Sequence, residues 1–144
     1  MRRKREALCA VVFASAPLAV HAADVRVSDA WIRALPAGLP AAGYFVLHNA
    51  GAKDAALTGA QSPACGMLML HRSTTLNGMS SMNEVLSVTV PAHGRLAFAP
   101  GGYHLMCMNP APGLAPGKRV PVTLQFADGT KVIADFRVKN AQGK

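Results

Sequence analysis

The chain has 144 residues, 51% of them hydrophobic, with 15 Lys+Arg against 7 Asp+Glu and 3 cysteines. That length suits one ordinary domain with a single core. Beyond Arg5 the basic residues form no long run and aromatics are few, which argues against a nucleic-acid partner.

The first two dozen residues read as an address label. Arg2, Arg3, Lys4 and Arg5 form a positive start, an apolar run follows from Ala7 to Val20, and small residues then suit a signal peptidase, with Val20 and Ala22 at the −3 and −1 positions. The run is shorter than the roughly 18–20 residues a membrane-spanning helix needs. Cys9 lies at the start of the run instead of its end, where a lipid-bearing cysteine would stand. The expectation is a cleaved secretory signal over residues 1–22, a domain over 23–144 and a periplasmic location. The label carries 4 basic and 1 acidic residues, so the secreted domain keeps 11 against 6, a net charge of +5.

Little of the remainder reads as helix. Short apolar stretches recur between Gly, Pro, Asn and Asp, the pattern of an all-β sandwich or barrel. Strands are expected near Val25–Arg33, Gly43–Asn49, Met67–His71, Val85–Val90, Arg95–Ala99, Tyr103–Met108, Val120–Phe126 and Thr130–Val138. Leu35–Pro40 and Pro110–Gly117 are connecting loops, and Thr74–Ser81 is read as a polar turn. The last two strands permit a register test. A two-residue Asp128-Gly129 turn would set Leu124 against Ile133 and Val122 against Asp135. A three-residue Ala127-Asp128-Gly129 loop, with Gly129 left-handed as a G1 bulge, pairs Leu124 with Val132 and Val122 with Ala134. The second register keeps the apolar face intact, so it is the one predicted.

The chemistry concentrates in one region. Of 7 methionines, all but Met1 fall between residues 67 and 108: Met67, Met69, Met79, Met82, Met106 and Met108. His71 and His104 share that stretch. A single methionine is most simply core packing, but the combination asks for more. His104 and Met106, one residue apart on an expected strand, point to the same face. Gly101 and Gly102 let the backbone bend at its entrance. His71 and Met82 are placed to supply a second pair of donors. Thioether sulfur is soft and neutral and suits Cu(I) over Mg, Ca or Mn. Zinc prefers His, Cys and carboxylate, and Glu84 is the only acid here. In an oxidising compartment a thioether also keeps its donor character where a thiolate tends to oxidise.

The spacing His71–x10–Met82–x21–His104–x–Met106 resembles the signature of the periplasmic copper chaperones called PCu(A)C. Val27 to Arg33, Ala42 to Asn49, Pro91-Ala92-His93-Gly94 and Pro100 to Met106 are similar to further segments of that family, so the likeness spans nearly all of the secreted domain. It implies a cupredoxin-like Greek-key β-barrel binding one Cu(I) per chain at one end, through His71, Met82, His104 and Met106. Met79 is a possible auxiliary ligand. The implied role is copper delivery toward the binuclear copper site of cytochrome c oxidase. A copper-accepting oxidase subunit and thioredoxin-like copper assembly proteins are the implied partners, with no nucleic acid and no small-molecule substrate. The alternative is periplasmic copper storage or tolerance without a dedicated recipient.

Other residues and classes are set aside or left open. His93 is read as a surface loop residue, His48 as structural, Trp31 and Tyr44 as packing. Pro63 and Gly66 allow an irregular backbone near Cys65, so Cys65 and Cys107 are expected to form a disulfide bracing the site from behind, the alternative being a thiolate contribution to the metal. An electron-transfer blue-copper site needs a histidine shortly after its cysteine, and none follows Cys107. An enzyme is not expected, since no acid–base pair lies near the donors.

Overall fold

The computed structural model describes residues 24–144. The secretory label expected over 1–22, with Cys9, lies outside the described residues. Ten strands follow one another: β1 (Val25–Arg33), β2 (Ala41–Asn49), β3 (Ala55–Gln61), β4 (Cys65–Leu76), β5 (Met79–Glu84), β6 (Val88–Val90), β7 (Arg95–Phe98), β8 (Tyr103–Pro110), β9 (Arg119–Phe126) and β10 (Lys131–Lys139). No α-helix occurs among the described residues.

Hydrogen-bonded neighbours run β5-β4-β8-β2-β1-β10-β9-β3-β6, and an Ala60–Leu68 pairing between β3 and β4 closes seven of these strands into a barrel. β1 and β10 run parallel, pairing the first and last strands of the described residues. Closure gives each of these seven strands a neighbour on both sides, leaving β5 and β6 as edges. The interior is filled by alternate residues of several strands, among them Ile32, Phe45, Leu47, Leu57, Leu105, Val122, Leu124 and Phe136, all nearly inaccessible to solvent. Phe45 lies against both Phe98 and Phe136, with ring centroids 4.4 and 5.5 Å apart. β2 passes close to β8 at Gly43, where a Cβ would come within 3.3 Å of the Leu105 Cβ.

The β9–β10 hairpin takes the predicted register, Leu124 opposite Val132 and Val122 opposite Ala134. The Gly129 amide donates to the Phe126 carbonyl and Gly129 has φ 87°, a type I turn closed by a left-handed glycine. Elsewhere the strands depart from expectation. β3 is absent from the sequence reading because Ala-Ala-Leu-Thr-Gly-Ala-Gln carries little β propensity; its place is fixed by pairing with β4, β6 and β9. The stretch 74–81 is not a polar turn. β4 runs on to Leu76, turns through Asn77 (φ 51°) and Gly78 (φ 73°), and returns as β5 with Leu76 paired to Met79. This is the two-residue Asn-Gly hairpin, whose φ values suit that dipeptide.

Cys65 and Cys107 are joined by a disulfide, with a Cα–Cα distance of 5.5 Å. Cys107 faces the core opposite Leu68, whereas Cys65 is paired with Pro110, three residues out of line. A flat ladder would hold two such residues apart. The chain bends at Asn109 (φ 49°), across from Gly66, where a Cβ would lie 3.0 Å from the Asn109 Cβ. The bend needs a residue without a side chain at 66, and it brings the two sulfurs together.

The bridge closes a loop with a sequence separation of 42, for which chain-entropy reasoning gives about 4 kcal/mol of stabilisation. Replacing both cysteines by alanine is expected to lower the unfolding free energy by about 2–4 kcal/mol, read as a fall in the urea midpoint. A midpoint unchanged from the wild type would remove the bridge from the list of stabilising features.

Candidate metal centre

The antiparallel ladder between β4 and β8 assembles the donors. Leu68 and Leu70 pair with Cys107 and Leu105 and face the core. The alternate positions therefore face outward: His71 opposite His104, Met69 opposite Met106, Met67 opposite Met108. β5 adds Met82, paired with Ser73, which shares the face of His71. The donors thus stand on the outer wall, close to the start of β8, with the hydrophobic core behind them. His71, Met82, His104 and Met106 all belong to this one face.

Met79 does not join them. It is paired with Leu76 beside the Asn-Gly turn, on the opposite face of the hairpin, and is 76% exposed. It stands three positions before Met82, and on an extended strand an odd offset reverses the direction of the side chain.

The two imidazoles approach each other with ring centroids 5.6 Å apart and planes inclined at 61°. His104 is only 4% exposed. Its Nδ1 donates to the Gly102 carbonyl at 3.4 Å. A carbonyl can only accept, so this bond places the proton on Nδ1 and leaves a lone pair on Nε2. That Nε2 is buried without a hydrogen-bond partner among the described residues, and so is Nδ1 of His71. Buried polar atoms are rarely left so. A metal fits this pair. An imidazole nitrogen binds a first-row metal at about 2 Å, so two rings sharing one ion have centroids about 5–6 Å apart. No cluster of three or more His, Cys, Asp or Glu side chains able to hold a metal forms among the described residues; the side chains sharing the outward face with the two imidazoles are thioethers.

Electrostatics agree with that donor set. Burial pushes the His104 imidazole below its usual range; the Gly102 hydrogen bond opposes the shift and the neighbouring His71 adds to it. The ring stays neutral and ready to donate its lone pair. Tyr44 covers it from β2, ring centroids 6.4 Å apart, and Trp31 lies 4.8 Å beyond Tyr44. The Arg33 guanidinium sits 5.5 Å from both aromatic rings. The sequence reading took Trp31 and Tyr44 as packing and missed that Tyr44 shields a donor. The Tyr44–His104 adjacency depends on β2 and β8 being neighbours, which no local pattern reveals. His48 is structural, its Nε2 2.9 Å from the Ser28 Oγ. His93 is exposed in a loop at φ 54°.

A cupredoxin-like barrel with a soft-donor face on its outer wall is the class that fold and site define. The model of the LpqE-like family matches residues 25–138. The chain belongs to that family. A relative from Leifsonia xyli subsp. xyli, "Putative lipoprotein Lxx21020", is 39% identical over 124 residues, 85% of this chain and 74% of the relative. CuI-DR1885 from Deinococcus radiodurans is 32% identical, with a TM-score of 0.63 over 76% of this chain and 74% of that one. The copper-bound PCuAC domain from PmoF2 shares the fold, with a TM-score of 0.67 at 21% identity over 81% of this chain and 93% of that domain.

The lowered His104 pKa fixes the sign of a pH effect. The folded state holds that proton less readily than the unfolded chain, so the contribution to stability is complete above the ordinary value of 6.5 and is lost as pH falls through the lower folded value. The metal-free domain is expected to lose stability on acidification below 6.5, with a shallower loss in His104→Gln. Ring-proton NMR titration and urea unfolding at a series of pH values would measure both; a His104 midpoint at or above 6.5 would contradict the assignment.

Proposed function

We propose that this chain is a secreted, periplasmic copper chaperone that binds one Cu(I) with His71, Met82, His104 and Met106, and carries it without acting as a catalyst. The observation that supports this reading most directly is the facing pair of imidazoles, each with a buried, unsatisfied ring nitrogen, on a wall whose neighbouring outward positions are thioethers. All four donors are neutral, so a monovalent ion arrives and leaves without a proton being taken up or released by a thiolate. A carrier needs ligands that can be exchanged one at a time, and thioethers on long flexible side chains provide them. The copper-bound form of the 32% identical DR1885 adds weight to the choice of metal.

The recipient we propose is the binuclear copper site of cytochrome c oxidase, reached through the copper-accepting oxidase subunit and thioredoxin-like copper assembly proteins. A deletion strain tests this: oxidase activity lost at low copper and restored by added copper supports delivery. Copper sensitivity with normal oxidase supports storage or tolerance instead.

Losing one ligand of four is expected to cost about 3 kcal/mol, roughly 100-fold in Kd. His104→Ala and Met106→Ala should each weaken Cu(I) binding by that order in competition with a Cu(I) chelator, while the fold persists because both side chains lie on the outer face. Wild-type affinity in both variants would refute the site.

A further inference from the structure

The donor face continues past the four residues assigned above. Below the His71–His104 rung, Met69 stands across from Met106 and Met67 across from Met108. Directly opposed residues on one sheet face hold their Cβ atoms about 4.5–5.5 Å apart. Successive rungs on that face are separated by about 6.8 Å, and unbranched methionine side chains reach across both gaps. The inner face of this wall is packed core, so alternation calls for polar residues on the outer one. Instead every outward position of the three rungs is an imidazole or a thioether. Met69, Met106 and Met108 are half-buried, and Met67 is 56% exposed. Core packing accounts for none of these positions, because the core lies on the other side of the sheet.

We propose that Met67, Met69 and Met108 form a second, all-thioether site for a soft monovalent cation, Cu(I) or its analogue Ag(I). The site lies one rung from the first, and Met106 stands between the two. The exposed Met67–Met108 rung takes up the ion from solution or from a donor. Exchange of one thioether at a time then moves it past Met69 and Met106 to the buried imidazoles. Lacking an imidazole, the all-sulfur site is the weaker and fills second. Its role as an entry track rests on the copper reading of the His71–His104 pair, whereas its existence does not.

The test uses the secreted protein carrying ¹³C-methyl methionine, titrated with Ag(I) and followed through its methyl resonances. The first equivalent is expected to move Met82 and Met106, and a second equivalent to move Met67, Met69 and Met108. A Met67→Leu/Met108→Leu variant, which keeps the apolar volume, is expected to lower the stoichiometry from two to one and leave the first event unchanged. Met67 and Met108 methyls that stay in place while Met82 and Met106 saturate would overturn the proposal. So would a stoichiometry of one with all five methyls moving together. Failure of the copper reading looks different: Met82 and Met106 do not respond, and His104→Ala leaves the first event unaltered.

Discussion

Everything at the metal centre depends on the register of the antiparallel ladder between β4 and β8. With His71 opposite His104, the outward positions of three successive rungs carry imidazole or thioether donors, while Leu68, Leu70, Leu105 and Cys107 turn inward. A slip of one residue would bury the donors and expose the leucines. The core therefore holds the register, and the register holds the site. The disulfide adds a covalent restraint to the same two strands from the inner side. Sulfur thus appears in this wall in two forms, oxidised and bonded behind it, thioether and free in front.

Burial and hydrogen bonding prepare the imidazoles in a complementary way. The Gly102 carbonyl fixes one tautomer of His104, and burial lowers the pKa of the ring, which favours its neutral form. A charged cluster on this face would have carried a large desolvation cost. Neutral donors avoid it, and they suit an ion of single charge.

Much of this was legible in the sequence where the determining signal is local. The β9–β10 register followed from alternation and one glycine, since a single slip would have exposed Leu124 and Val122. The shared face of His104 and Met106 followed from their spacing, His71 and Met82 were already candidates for the second pair of donors, and the family likeness added its spacing to all four. Three things depended on distant contacts and stayed hidden. β3, rich in Ala and Gly, is a strand only because its neighbours make it one. The Cys65–Cys107 bridge was expected from an irregular backbone at Gly66, with a thiolate ligand as the alternative, but the matching left-handed Asn109 across from it was hidden. Met69 and Met108 were visible as methionines, yet only the pairing of β4 with β8 places them across from Met106 and Met67. The Asn77-Gly78 hairpin is a different case: its signal was local and was overlooked among the polar residues around it, which led Met79 to be read beside the donors.

The β4–β5 hairpin gives the donor set an asymmetry. β5 is exposed along its whole length and bonds to β4 alone, whereas β4 and β8 are locked into the closed barrel. Three of the four proposed ligands thus stand on strands of the closed barrel and the fourth, Met82, on an exposed strand held from one side only. A bound ion would feel its weakest hold from that side. An acceptor approaching over that strand would displace Met82 before any other donor, so the direction of release would be built into the architecture.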